Sequence, residues 1–304
     1  MADKTFDYNL AEKYADKVAE RFKLQSLATK FTNQDYKWTG VKTLWVYSMA
    51  TVALSDYARH GGLFGNSGAS RYGTLTDLKD EAQELQVSQD KSFTFVIDKG
   101  DKMDSMNVRD AGKALRREID EVIVPTQDRH TFYKLALAAH TNGNYASAAS
   151  FANADAAYAA FLAGQTALDN NYVPTAGRVA AVNATTLNLL KQSSTFVKAS
   201  EIGQKMLIKG QVGEIDGVAI VKVPDNYLPS NCHFIITHPS VAVKAEKLAD
   251  YKIHTDPPFI SGNLVEGRVY YDTFVLNAKK NGVYAHLTNS SAPTEPGTLP
   301  TPSL

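Results

Sequence analysis

Residues 107–140 read NVRDAGKALRREIDEVIVPTQDRHTFYKLALAAH, and the fold prediction starts from them. Asn107 is a suitable N-cap, and Asp110 follows at the capping-box spacing. Apolar side chains recur at three- and four-residue steps, which is typical of an amphipathic helix: Val108, Ala111, Leu115, Ile119, Val122 and Ile123. The sequence therefore predicts a long helix with one apolar stripe.

Pro125 interrupts this pattern, so we expect a kink or a short break there. A continuous helix of about 34 residues would be roughly 50 Å long. The segment is then either two ordinary helices joined at the proline or one strut across an elongated subunit. Opposite charges four residues apart support the polar face: Arg116 with Asp120, and Arg117 with Glu121.

Residues 38–98, which precede the helix, resemble two extended arms. One strand is predicted at 38–47 and another at 91–98, and the glycine-rich stretch HGGLFGNSGASRYGT at 60–74 forms a tip between them. A two-stranded ribbon has too little core to be stable alone. The ribbon must therefore lie on its own domain body or on a neighbouring subunit.

Three further regions have distinct patterns. Residues 7–30 predict a modest amphipathic helix. Residues 145–262 alternate between helix and strand signals, which indicates an α/β or α+β domain. Its elements are predicted as helices at 153–169 and 184–191, strands at 178–182 and 233–237, two strands within 206–224 joined by a glycine turn at 214–217, and a helix opened by Pro239 that runs to Leu248.

Residues 267–304, at the C-terminal end of the chain, predict a hairpin and a tail. Residues 267–277 and 282–288 have strand character, and Asn281-Gly282 favours a hairpin turn between them. The tail at 289–304 contains four prolines and almost no apolar bulk. That composition predicts disorder unless the tail is tied to something.

Composition excludes several classes of protein. The chain has 32 basic and 32 acidic side chains, so no global field favours nucleic acid or an acidic membrane. A single cysteine, Cys232, rules out an internal disulfide framework. No apolar run approaches the roughly 18 residues needed to span a bilayer, and the N-terminus has no signal-peptide core. We expect a soluble protein made in a cytosol.

Motifs for chemistry are missing. The glycine-rich tip lacks the GK[ST] end of a phosphate-binding loop, and the seven histidines lack the H-E-x-x-H spacing. Asp98, Asp101 and Asp104 do not form a calcium loop and are interpreted as helix N-terminal charge. We therefore expect no catalytic residues, no cofactor and no metal, and predict that the chain is not an enzyme.

The order of elements carries a resemblance to a known family. The junction KSFTFVIDKGDKMDSM, the helix through EVIVPTQDRHTFYKLA and the later segments GQKMLIKGQVGEIDGVAIVKVPDNYLP and NCHFIITHPSVAVKAEKL resemble the major capsid protein of tailed bacteriophages, the Hong Kong 97-like fold. The resemblance covers about residues 38–288. It implies an α+β capsid fold with an N-terminal arm, an extended two-stranded loop, a peripheral domain with a long spine helix, and an axial α/β domain.

The resemblance also implies domain boundaries. The predicted divisions are an N-terminal arm at 1–37, the extended loop at 38–98, the peripheral domain with its spine helix at 99–145, the axial domain at 146–265, a return hairpin of the peripheral domain at 266–288, and the proline-rich tail at 289–304.

The function implied is that of a structural virion protein, assembled in the bacterial host cytoplasm. Copies of the chain would self-assemble as hexamers and pentamers into an icosahedral shell around double-stranded DNA, contacted non-specifically. A portal at one vertex and, because few residues precede the loop, a separate scaffolding protein are further expected partners; no membrane is. Candidate intersubunit contacts are aromatic and arginine side chains: Trp38, Trp45, Tyr47, Arg59, Phe64, Arg71, Tyr72, Arg116 and Arg117.

Three rival interpretations remain. An encapsulin-like nanocompartment shell would share the same fold. An α/β enzyme would place its site in residues 145–262, where distant residues can converge in space. A phage tail component is disfavoured by the long helix.

Overall fold

The chain forms two compact units, residues 41–86 and the remainder. A computed structural model describes, of the 304 residues, 26–33, 35–36, 43–49, 51–57, 59, 69–74, 77–104, 110–193 and 213–297. The predicted helix at 7–30 lies largely outside these residues. Where it can be compared, Ala28–Lys30 forms a single 3-10 turn.

The long helical segment contains two α-helices joined by a π-helical turn. Helix α2 (Ala111–Glu118) follows the short α1 (Lys99–Asp104) and leads through the π-turn Ile119–Ile123 into α3 (Val124–Thr141). The side chain of Asp110 caps α2 by accepting the Lys113 N–H, whereas the predicted cap Asn107 lies outside the described residues.

The predicted break at Pro125 is absent, and a π-helical turn directly precedes the proline instead. Proline cannot donate a backbone hydrogen bond, and its ring clashes with the carbonyl four residues earlier. Immediately before it, Val124 N–H bonds to the Ile119 carbonyl five residues back, which widens the turn. The helical backbone continues through this turn, so residues 111–141 extend for roughly 46 Å.

Residues 41–86 contain a two-stranded antiparallel ribbon. Strand β1 (Thr43–Met49) pairs with β4 (Asp80–Gln86), with Tyr47 opposite Ala82. Two short strands, β2 (Ala69–Ser70) and β3 (Gly73–Thr74), pair with each other. The predicted ribbon is therefore present, but its returning arm is β4 and not the strand that ends at Asp98.

A three-stranded antiparallel sheet contains the strand that ends at Asp98. It consists of β5 (Gln89–Asp98), the central β12 (Gly262–Val275) and β11 (Ala242–Thr255). The predicted helix from Pro239 to Leu248 is wrong. Only Pro239–Val241 forms a 3-10 turn, and β11 follows because it pairs with β12 along its whole length.

A six-stranded mixed sheet is the other large sheet of the described residues. Its strands, in spatial order, are β6 (Tyr145–Ser147), β13 (Val283–Leu287), β10 (Cys232–Thr237), β7 (Val179–Asn183), β9 (Val218–Val223) and β8 (Glu214–Ile215). The predicted hairpin of 267–277 with 282–288 is wrong. The first segment belongs to β12, whereas β13 pairs with β10 and β6 and is joined to β12 by the 3-10 turn Asn277–Gly282.

Helices cover both faces of the six-stranded sheet. Alternate residues of β10 separate the two faces. Ile235 belongs to a cluster with Phe132 and Leu135 of α3, whereas Phe234 and Ile236 pack with α4 (Ala154–Asn170) and α5 (Ala184–Gln192). Both helices begin as predicted, with Asn153 and Asn183 as N-caps.

Helix α4 approaches the sheet through a glycine. The alanines of its sequence at 156, 160, 163 and 167, which are small enough for a close approach, are half-buried or exposed instead. A Cβ at Gly164 would lie 2.7 Å from the Tyr284 ring, so only glycine allows this distance between α4 and β13.

His286 on β13 makes the folded state sensitive to acid. Its ring stacks on Phe234 at 5.1 Å. Burial, with a smaller contribution from the neighbouring His233, lowers the pKa of His286 to about 4. The unfolded chain, with a pKa near 6.5, binds a proton that the folded chain does not. The free energy of unfolding should therefore fall by about 3 kcal/mol as the pH decreases from about 6.5 to about 4.

Urea unfolding of the wild type and His286→Phe at several pH values within this window tests the prediction. The variant should lose this part of the pH dependence. Equal pH dependence in both proteins would refute the assignment.

Candidate assembly surface

One face of the ribbon is apolar and exposed. Side chains alternate along a strand, so Trp45, Tyr47 and Met49 of β1 point to the same side. Their exposed fractions are 50%, 74% and 75%. We call these three side chains the apolar ribbon face.

Acidic side chains border this face. Directly paired residues of an antiparallel ribbon share a side, and Glu84 lies opposite Trp45 while Asp80 lies opposite Met49. Both β4 residues are exposed. A complementary surface would therefore be apolar at its centre and basic at its edge.

More exposed apolar side chains follow β1 within residues 41–86. Tyr57 and Tyr72 meet edge to face at 5.1 Å, and each is more than half exposed. Eight of the fifteen large hydrophobic side chains that are exposed in the described residues fall within 41–86: Trp45, Tyr47, Met49, Val52, Leu54, Tyr57, Tyr72 and Leu78. Such a concentration of exposed apolar surface is typical of a protein–protein interaction site.

The chain is similar to solved structures from phages. No family model and no curated protein matches it. Among solved structures, a chain from Mycobacterium phage Che8 is similar with a TM-score of 0.71 and 21% identity, covering 93% of this chain and 98% of that one. The capsid structure of cyanophage P-SCSP1u is similar with a TM-score of 0.72 and 16% identity, covering 93% and 94%. The mature capsid of bacteriophage PhiM1 is similar with a TM-score of 0.66 and 13% identity, covering 91% of each chain.

The chain has a phage capsid fold. The α+β capsid fold predicted from the sequence is confirmed, and its Hong Kong 97-like division into arm, loop, peripheral and axial domains stays a prediction. At these identities the likeness concerns the fold alone.

The predicted contact residues occupy different places in the capsid fold. Trp45 and Tyr47 belong to the apolar ribbon face. Arg59, Arg71 and Tyr72 are exposed in the same unit. Trp38 and Phe64 lie outside the described residues.

Two predicted contacts, Arg116 and Arg117, lie on α2 in the larger unit. Arg117 Nε is 3.2 Å from Glu121 Oε1, which confirms the predicted i,i+4 pair. Arg116 is exposed. Whether any of the predicted residues contacts a second copy stays a prediction.

Several exposed apolar side chains were not among the predicted contacts. The exposure of Met49 could have been predicted, because the two-residue period of TLWVYSM continues from Trp45 and Tyr47 to it. No sequence period predicts the exposure of Val52 and Leu54, since residues 51–57 form no regular element. Their exposure becomes apparent only from the fold.

Other sites offer no competing chemistry within the described ranges. There, no three His, Cys, Asp or Glu side chains are grouped so that they could hold a metal. Burial raises the pKa of the Cys232 thiol well above its ordinary value, which keeps it protonated and unreactive. No helix in the described part of the chain combines the length and apolar content needed to cross a membrane.

Proposed function

We propose that this chain is the major capsid protein of a tailed bacteriophage. Copies of it assemble as hexamers and pentamers into the icosahedral shell that encloses the genome. The observation that carries the proposal is the apolar ribbon face, presented by a two-stranded ribbon in a chain with a phage capsid fold.

A second copy of the chain would stabilise the ribbon by covering its apolar face. Two strands alone are marginally stable in water. A solvent-exposed row of Trp45, Tyr47 and Met49 adds an unfavourable apolar surface. Covering that row with a second copy removes it from water, and repeated head-to-tail contacts of this kind close into rings and shells.

The proposed domains follow the sheets. The three-stranded sheet with α2 and α3 forms the peripheral domain, and α3 supplies the spine. The six-stranded sheet with α4 and α5 forms the axial domain, and residues 41–86 form the extended loop. The return segment at 283–287 then belongs to the axial sheet.

The proposed partners are those that the resemblance to capsid proteins implies. They are further copies of the chain, a separate scaffolding protein during assembly, a portal at one vertex, and double-stranded DNA contacted without sequence specificity. The chain is then a non-catalytic component of the virion, assembled in the host cytoplasm.

Expression of the chain, alone and together with a candidate scaffolding protein, tests the proposal. Sedimentation velocity and negative-stain microscopy should show hexamers, pentamers or uniform polyhedral particles. Monomers at every soluble concentration, under both conditions, would refute it. Correct shells from the chain alone would refute the requirement for a scaffolding protein.

A further inference from the structure

Asp272 on β12 is the centre of a buried polar network. Its side chain is 1% exposed. Oδ2 accepts hydrogen bonds from the Ser88 amide at 3.0 Å and from the Ser88 hydroxyl at 2.6 Å. Oδ1 accepts the Thr273 amide at 2.8 Å and lies 2.9 Å from His130 Nε2, with Lys134 Nζ at 3.5 Å. One carboxylate thus joins β12, α3 and the chain just before β5.

His130 on α3 connects this carboxylate to a second one. Its side chain is 1% exposed, and Nδ1 lies 2.7 Å from Glu295 Oε1. Each ring nitrogen of His130 is therefore within hydrogen-bond distance of a carboxylate oxygen, Asp272 Oδ1 on one side and Glu295 Oε1 on the other. The Tyr271 ring packs edge-on against it at 5.7 Å.

Glu295 belongs to a segment that is held against the protein at several points. We call residues 289–297 the tail strap. His140 Nε2 is 3.0 Å from the Ser290 carbonyl, and Asn231 donates to the Ser291 carbonyl at 3.1 Å. Pro293 is buried, and the Arg129 guanidinium donates to the Gly297 carbonyl. Residues 289–297 are therefore tied to the protein, which is the exception that the composition-based prediction of disorder allowed, while 298–304 lie outside the described residues.

The other end of the network is the root of the ribbon. Gln86 is the last residue of the smaller unit, and Val87 and Ser88 follow it directly. The Tyr270 hydroxyl donates to the Val87 carbonyl at 2.7 Å, and Asp272 holds both polar groups of Ser88. Two alternate residues of β12, Tyr270 and Asp272, thereby anchor the chain where the ribbon ends.

We propose that the tail strap controls the anchoring of the ribbon root through the hydrogen-bonded relay Glu295–His130–Asp272–Ser88. A seated strap places a carboxylate oxygen 2.7 Å from His130 Nδ1 and so fixes the ring in the orientation that bonds to Asp272. Release of the strap removes this hydrogen-bond partner, and the ring is then held only from the Asp272 side. The relay relaxes in response, and Ser88 loses the rigid acceptor that holds its amide.

The charge state of Asp272 supports the relay. Burial alone would raise the pKa of Asp272. The hydrogen bonds from His130 and Ser88, the charge of Lys134 and the Thr273 amide outweigh it and lower the pKa to about 2. The carboxylate is therefore ionised at neutral pH and accepts from every donor around it. All members of the relay belong to one chain, so the inference stands independently of shell assembly.

Hydrogen exchange of the full chain tests this proposal, since the Ser88 amide is itself a member of the relay. Glu295→Gln weakens the link at its far end. We expect exchange at the Ser88 amide to accelerate by about fivefold or more, which corresponds to about 1 kcal/mol. Thr294→Ala changes the exposed neighbour of Glu295 in the same strap and should leave Ser88 exchange unchanged.

Two further measurements separate the relay from simple destabilisation. Exchange at the Ile235 amide, in the centre of the six-stranded sheet, should stay unchanged in Glu295→Gln. A variant that ends at Thr288 removes the whole strap and should accelerate Ser88 at least as much. Unchanged Ser88 exchange in Glu295→Gln, or an equal acceleration at Ser88 and Ile235, would overturn the proposal.

Discussion

Replacing Trp45 and Tyr47 together with serine should abolish assembly and leave the fold of the single chain intact. Aromatic side chains at the centre of an interface contribute about 2 kcal/mol or more each when truncated. Loss of both weakens every copy-to-copy contact by about 4 kcal/mol, or roughly a thousandfold in affinity. Sedimentation velocity under assembly conditions should show only slow-sedimenting species.

The controls for this variant use the same strand. Val46→Thr changes the opposite side of β1 and keeps a β-branched side chain, so assembly should persist. Because Trp45 and Tyr47 are exposed in the single chain, the double variant should change the free energy of unfolding of the unassembled protein by only about 0.5 kcal/mol. Wild-type assembly of the double variant would show that the apolar ribbon face is not the contact.

Phe132→Ala should strongly lower the free energy of unfolding of the unassembled chain. Phe132 on α3 is fully buried, and its ring meets that of Phe31 edge to face at 5.2 Å. Truncation of a buried phenylalanine costs about 3–5 kcal/mol. That loss is a large part of the total stability of a typical domain, which is about 5–15 kcal/mol. Urea unfolding of the unassembled chain measures it.

A matched control is Phe259→Ala, because Phe259 is fully exposed in the turn between β11 and β12. It should change the free energy of unfolding by no more than about 0.5 kcal/mol. A double-mutant cycle of Phe132→Ala with Phe31→Ala should give a coupling of about 0.5–1.5 kcal/mol. A loss below about 1 kcal/mol for Phe132→Ala would contradict its place in the core.

Local signals predicted α4 and α5 to within one residue at each end. Pro125 marked the place where the long helical segment changes from a π-helical turn to α3. Each of these features depends on residues within one turn of it. The exposure of Trp45 and Tyr47 could also be predicted from the sequence, because a ribbon of two strands cannot bury both of its faces.

The wrong predictions concern long-range pairing. Residues 242–248 contain good helix formers, yet β11 forms because β12 provides hydrogen-bond partners along its whole length. Asn281-Gly282 signals a hairpin, but all five residues of β13 are buried, which a hairpin with one solvated face would not allow. The tail strap, for which both disorder and a tied tail were left open, is ordered by Arg129 and His130, which lie 165 or more residues earlier in the chain.

The proposed assembly of copies into a shell depends most on what covers the apolar ribbon face. A cryo-EM reconstruction of assembled particles measures this directly. We predict that Trp45, Tyr47 and Met49 are buried against a neighbouring copy, with basic side chains of that copy near Asp80 and Glu84. Particles in which these three side chains remain in solvent, or are covered only by their own chain, would contradict the account.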